Sequence, residues 1–204
     1  IVMRIESEGH LREIIGHPLP STETKKIPNL FVTAREFISK SPFLILATAD
    51  ENGAMDASPK GDDPGFVQWD DDGYLLIPER KGNRLADGHL NILQNNQVAI
   101  IFIVPNTRET VRVNGTAELR YDPEVLEKLS ARGLPALLYT RVHVKECFFH
   151  CGKALIRSGL WNPESWGDVE KVSFGKMFVE RSGADNSIAE VVDRAIEQDY
   201  IENL

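Results

Sequence analysis

The chain has 204 residues, 42% hydrophobic and 26% charged, which are the proportions of a folded protein long enough to bury a core. Its formal net charge of −8 argues against a protein that mainly neutralises nucleic-acid phosphates or coats an anionic membrane, so any bound anion must meet a local basic site. Two cysteines, Cys147 and Cys151, are too few and too close for a secreted disulfide framework, and the longest apolar runs, Phe43 to Ala47 and Val98 to Val104, are too short to span a bilayer. A cytoplasmic protein with no nucleic-acid and no membrane partner is expected.

In chain order, Leu11, Ile14 and Ile15 form a short helical face, and the stretch from Pro18 to Pro28 reads as an arm crossing a surface. Leu30, Phe31, Ala34, Phe37 and Ile38 predict a helix over 30–40, stopped by Pro42. Phe43 to Thr48 is a buried strand, Asp50 to Gly53 a hairpin turn and Ala54 to Pro59 its partner. A second hairpin joins Phe66–Trp69 to Tyr74–Ile77 across Asp70 to Gly73, and two consecutive hairpins suggest an antiparallel meander. From Gly82 to Asn95 the period becomes helical, with Leu85, His89, Ile92 and Leu93 on one face.

Val98 to Val104 is the next strand, and Thr110 to Leu119 alternates cleanly: Val111, Val113, Gly115, Ala117 and Leu119 on one face, Thr110, Arg112, Asn114, Thr116 and Glu118 on the other. Asp122-Pro123 starts a helix that Gly133 ends, and a strand lies within Leu137 to Phe149. If that strand is regular, His143, Cys147 and Cys151 share a face and His150 points away. The tail opens on a capping box, Ser187 with Glu190, and places Ile188, Val191, Val192, Ala195 and Ile196 on one stripe.

Four segments occur in an informative order: Ala47-Thr48-Ala49-Asp50-Glu51-Asn52-Gly53, Leu75 to Arg84, Asn91 to Ala99, and Val111-Arg112-Val113-Asn114-Gly115-Thr116-Ala117. Together they resemble the FMN-binding split barrel of the pyridoxamine 5′-phosphate oxidase family. The run Phe148 to Trp161 is more similar to an uncharacterised FMN-binding subgroup than to the vitamin-B6 enzyme. The resemblance implies a mainly β fold with added helices, an antiparallel split β-barrel over 42–163. Residues 1–41 would add N-terminal helices and an arm, and 164–204 a C-terminal extension within the same domain. It also implies a homodimer with FMN across the interface, and a small-molecule substrate or electron donor.

By position in the family pattern, Asn83 and Arg84, with Arg80 and Lys81 upstream, would hold the FMN phosphate. Independently, a dianion is favoured where an Arg fork meets the free N–H groups of a helix start and Gly82 lets the backbone approach. By itself the run reads rather as a solvated basic turn, and it is the resemblance that favours phosphate binding. Ser58 and Lys60 fall where the family presents residues to flavin and substrate, and a lysine there would stabilise the reduced ring; a strand-end lysine held in water is an equal reading of Lys60. Thr110 and Arg112 match the strand whose polar side faces the cofactor in relatives, against an ordinary exposed sheet face. Lys153, Arg157 and Trp161 have i, i+4, i+8 spacing suited to a planar anion, unless the turn signal at Gly159 separates them and Trp161 plugs the core.

His143, Cys147, His150 and Cys151 are the one cluster of soft ligands, but Cys-x3-Cys with an adjacent His is not a common zinc spacing, so no metal site is expected. The function expected is an FMN-dependent oxidoreductase acting on a small molecule. The rivals are a non-catalytic flavin or haem carrier or sensor, with His150 as axial ligand, and a zinc-stabilised interaction module.

Overall fold

A computed structural model describes residues 3–203. Strand alternation builds the core directly. In β1 (Phe43–Ala49) Leu44, Leu46 and Thr48 point inward, in β5 (Gln97–Ile103) Val98, Ile100 and Phe102, and in β6 (Thr110–Arg120) Val111, Val113 and Ala117. With β2 (Met55–Gly61), β3 (Gln68–Trp69), β4 (Leu75–Pro78) and β7 (Tyr139–His150) they form a seven-stranded sheet, order β2-β1-β5-β6-β7-β4-β3, antiparallel at every pairing. The two hairpins are therefore not consecutive neighbours in a meander. They stand at opposite ends of the sheet, and the sheet curls to bring those ends together, which is the split barrel expected from sequence.

β4 is buried at all four positions because it has a core on each side. Leu75 and Ile77 join the barrel core, and Leu76 packs with Leu126, Leu129, Ala136 and Tyr139 beneath α5 (Pro123–Lys128). Asp122 caps α5, its carboxylate accepting from the backbone N–H of Glu124 and Val125. Before the barrel lie α1 (Glu8–Ile15), α2 (Pro20–Glu23) and α3 (Val32–Ile38). α3, with Leu30 just before it, puts Leu30, Ala34 and Ile38 into the core, and Phe31 and Phe37 meet Phe149 at 6.0 and 5.6 Å between ring centroids. The preceding arm is anchored by a two-way backbone bridge between Ile27 and Cys147.

β7 carries a bulge: Asn114 pairs with Glu146 but Gly115 with Val144. A Cβ on Gly115 would lie 2.1 Å from the carbonyl oxygen of His143, so glycine is required for this approach. The extra residue inverts the facing of the strand. Val142 and Val144 are buried before it and Cys147 after it, so His143 and Cys147 do not share a face as a regular strand would give.

After β7 come α6 (Lys153–Ser158), then α7 (Phe174–Ser182) and α8 (Ser187–Glu202), a helical pair. They cross at Gly175, where a Cβ would fall 1.9 Å from the carbonyl oxygen of Ala189. The Asp193 carboxylate accepts from Ser173 Oγ at 2.5 Å and the Gly175 amide at 2.8 Å. The expected capping box is displaced: Asn186 is the N-cap without a side-chain bond, and Ser187 donates its N–H to Asp185. Among the described residues, no helix is long and apolar enough to cross a membrane.

Candidate functional site

The chain leaves β4 through residues 79–86 and enters α4 (Asp87–Gln94), a helix shorter at its start than the periodicity implies. Arg84 (φ 64°) and Ala86 (φ 58°) both sit in the left-handed region, so the segment cannot begin the helix at Gly82, and Leu85 between them is exposed instead of joining an apolar face. Each left-handed residue costs about 1–2 kcal/mol, which the anchors on either side must hold. Asn83 accepts the Leu85 amide at 3.0 Å. On α4, Asn91 donates to Thr48 at 3.1 Å and Asn95 to the Asp50 carbonyl at 3.3 Å, seating the helix on the β1–β2 hairpin. Gly88 allows that seat: a Cβ would lie 3.2 Å from the Asp56 carboxylate. No side chain caps the first turn of α4.

Two ion pairs join the sheet ends across the split. Lys60 of β2 meets Glu79 at 2.5 Å, and Arg80 Nε meets Asp62 at 2.8 Å, with Arg132 at 3.8 Å from the other Asp62 oxygen. The Asp62 side chain is 2% exposed. Burial pushes the Glu79 carboxyl up, but His89 and Lys60 outweigh it and hold it below its ordinary value. His89 Nε2 lies 3.3 Å from the same Glu79 oxygen, yet among the described residues neither it nor the buried Arg80 Nη1 has a hydrogen-bond partner.

These groups wall a cavity of about 810 Å³ in the split. Its lining includes Ser58, Lys60, Arg80, Lys81, Asn83 and Arg84, all singled out from sequence. It also includes Asp56, Asp62, Glu79, Asp87 and His89, which sequence reasoning missed. The carboxylates are adjacent in sequence to the cations chosen, but which cation each one pairs with depends on the strand order. Lys60 and Arg80 are committed to carboxylates, and Lys81 contacts Asn203 beyond α8. Among the described residues neither Lys81 nor Arg84 forms an ion pair, so the loop from Arg80 to Arg84 keeps local positive charge beside the uncapped start of α4.

The other sequence-predicted residues lie outside this lining. Thr110 and Arg112 are half-buried on the face of β6 turned from the core. Lys153 and Arg157 are exposed on α6, and Gly159 at φ 63° ends that helix before Trp161. The continuous helical face for the three is thus broken. Trp161 donates Nε1–H to the Thr107 carbonyl at 2.9 Å and lines a smaller cleft of about 440 Å³ with Arg108 and Leu155.

The soft ligands are dispersed. Burial raises the Cys147 thiol to about 11 in the core, Cys151 is exposed, and the His143 ring packs tilted against Tyr74 with centroids 4.7 Å apart. His150 is half-buried, its imidazole shifted below the ordinary value by burial and then by the charges of Arg112 and Lys25. Among the described residues, no three His, Cys, Asp or Glu side chains gather as a metal site.

Sheet order, split and helical additions define a split-barrel protein. Residues 32–151 match the family model described as pyridoxamine 5′-phosphate oxidase, and the chain belongs to that family. Solved structures similar to it include HupZ of Group A Streptococcus (20% identity, 58% of this chain and 94% of that one, TM-score 0.47). HutZ, the haem storage protein of Vibrio cholerae, is similar at 16% identity over 60% and 94% of the two chains, TM-score 0.40. An FMN-binding protein from Syntrophomonas wolfei is similar at 10% identity over 56% and 86%, TM-score 0.42. No curated protein matches the chain.

Proposed function

We propose that the chain binds FMN in the cavity of the barrel split and acts as an FMN-dependent oxidoreductase on a small molecule. The supporting observation is the loop from Arg80 to Arg84, basic, locally left-handed and set against an uncapped helix start at the mouth of a cavity whose volume suits a cofactor. Arg84 and Lys81, without carboxylate partners among the described residues, would take the phosphate, and Arg80 Nη1 is a buried donor in want of an acceptor. Ser58 and Lys60 on β2 would border the ring. Bound FMN supplies the electron transfer; Lys60, tied to Glu79, places a positive charge where reduction would build negative charge.

A homodimer belongs to this proposal, because Thr110, Arg112, Lys153, Arg157 and Trp161 lie outside the cavity lining, and a second copy is what would carry such residues to a shared site. A non-catalytic flavin carrier is the second reading. It is favoured by the mutual commitment of Lys60 with Glu79 and Arg80 with Asp62, which leaves few free acid–base groups in the cavity. Sedimentation monitored in the flavin absorption band tests the shared site: FMN should travel with a dimer, and flavin carried by a monomer at micromolar concentration would overturn it. Turnover of bound flavin with nicotinamide donors separates enzyme from carrier.

A further inference from the structure

The helical pair that follows the barrel touches the wall of the cavity through its last turn. α7 and α8 pack on each other more than on any strand or helix of the barrel, and α8 buries none of its residues. Its far end nevertheless lies on the basic loop. The Asn203 side-chain carbonyl accepts from Lys81 Nζ, and Asn203 Nδ2 donates to the Asp199 carboxylate at 2.6 Å. Lys81, which lines the cavity, is thus linked through Asn203 to a carboxylate of α8.

The charges of α8 are badly placed for the helix alone. A helix C-terminus carries a partial negative charge and favours cations. The last turn of α8 instead holds Asp199 and Glu202 and no basic residue. Facing solvent, such an end is unfavourable; against a loop that carries Lys81 and Arg84, neither in an ion pair among the described residues, the same charges are attracted. That loop leads into the uncapped start of α4, which itself favours an anion. In the free protein the acidic end of α8 therefore supplies negative charge to the loop that is expected to meet a phosphate.

We propose, resting on the reading of the cavity as an FMN site, that the end of α8 is an autoinhibitory contact: Asn203, backed by Asp199, engages Lys81 in the ligand-free protein, and FMN must displace it to take that lysine. Magnitudes favour the displacement. Lys81 and Asp199 are exposed, and contacts between exposed charges change an equilibrium constant by about two- to five-fold, against about ten- to hundred-fold for a charge-assisted bond to phosphate. The helical pair survives the release, because α7 and α8 cross at Gly175 and Ala189, at the opposite end of α8 from Asn203. The coupling is reciprocal: as far as α8 weakens FMN binding, FMN loosens the end of α8.

The test is hydrogen exchange of the full chain with and without FMN, together with flavin titration. FMN should speed amide exchange at the end of α8, over residues 198–203, while the crossing at Gly175 and Ala189 keeps its protection. Asn203→Ala should bind FMN about two- to five-fold more tightly than the wild type, and Asp199→Asn should shift the affinity in the same direction. In the FMN-free protein Lys81→Gln should by itself speed exchange over the same residues. If Asn203 does no more than cap its helix, Asn203→Ala frays α8 without tightening FMN binding, and that result overturns the proposal, as does exchange at the end of α8 that FMN leaves unchanged. Equal FMN affinity in wild type, Asn203→Ala and Asp199→Asn would refute the autoinhibitory contact and leave the cavity site standing. No FMN binding by any of the three would refute the cavity site and the competition with it.

Discussion

Arg84 offers a test in which binding and stability move independently. It lines the cavity without an ion pair among the described residues and holds a backbone φ of 64°. If it grips the FMN phosphate, its removal deletes a charge-assisted contact contributing about 1.5–3 kcal/mol, so the dissociation constant should weaken about ten- to hundred-fold. Stability follows the backbone instead. Arg84→Ala keeps the left-handed conformation and should leave apoprotein stability within about 0.5 kcal/mol. Arg84→Gly removes a left-handed penalty of about 1–2 kcal/mol, offset by about 0.5–1 kcal/mol for the freer unfolded chain, so its apoprotein should be between equal to and about 1.5 kcal/mol more stable than wild type. Flavin fluorescence quenching and melting of the apoprotein measure the two quantities. Unchanged FMN affinity in both variants would refute the phosphate contact, and a fall in the melting temperature of Arg84→Gly would refute the strained-loop reading.

Because Glu79 is held below its ordinary value of 4.5, its carboxylate contributes stability that is present above that pH and is lost as pH falls through the folded value. Wild type should therefore lose more stability than Glu79→Gln on acidification below about pH 4.5, in denaturant titrations across pH 6 to 3; parallel losses would contradict the role of Glu79 in the split. Of the two thiols, the exposed Cys151 should react with an aromatic disulfide reagent in the native protein, while Cys147, buried with its thiol raised to about 11, should react only on unfolding. Gly175→Ala should separate α7 from α8 and abolish amide protection there while the barrel strands keep theirs, as hydrogen exchange would show.

β6 was legible because it alternates strictly, β1 and β5 because each is a continuous apolar run, and α8 because its apolar stripe is long. The order of those strands was not. Nothing local tells that the β1–β2 hairpin and the β3–β4 hairpin lie at opposite ends of one sheet, so the Lys60–Glu79 and Arg80–Asp62 pairs, which depend on those ends meeting, could not be read in advance. The bulge opposite Gly115 was hidden for a related reason: a glycine in an alternating strand is compatible with regular pairing, and only the cross-strand carbonyl of His143 shows why it is needed. The late start of α4 reflects backbone competition, since Leu85 fits the helical period but the left-handed Arg84 and Ala86 detach it. α7 escaped because Gly175 interrupts a weak apolar pattern and its capping carboxylate, Asp193, comes from the next helix. The cavity residues chosen from sequence came through family resemblance as much as local chemistry, which is why the cations were named and their partners were not.

A crystal of the protein grown with FMN tests the central claim most directly. The account predicts difference density for one flavin per chain, its phosphate within hydrogen-bond distance of Arg84 at the start of α4 and its ring in the split beside Lys60. Flavin density located elsewhere on the chain, or a cavity that stays free of flavin at concentrations that saturate the protein in solution, would contradict it.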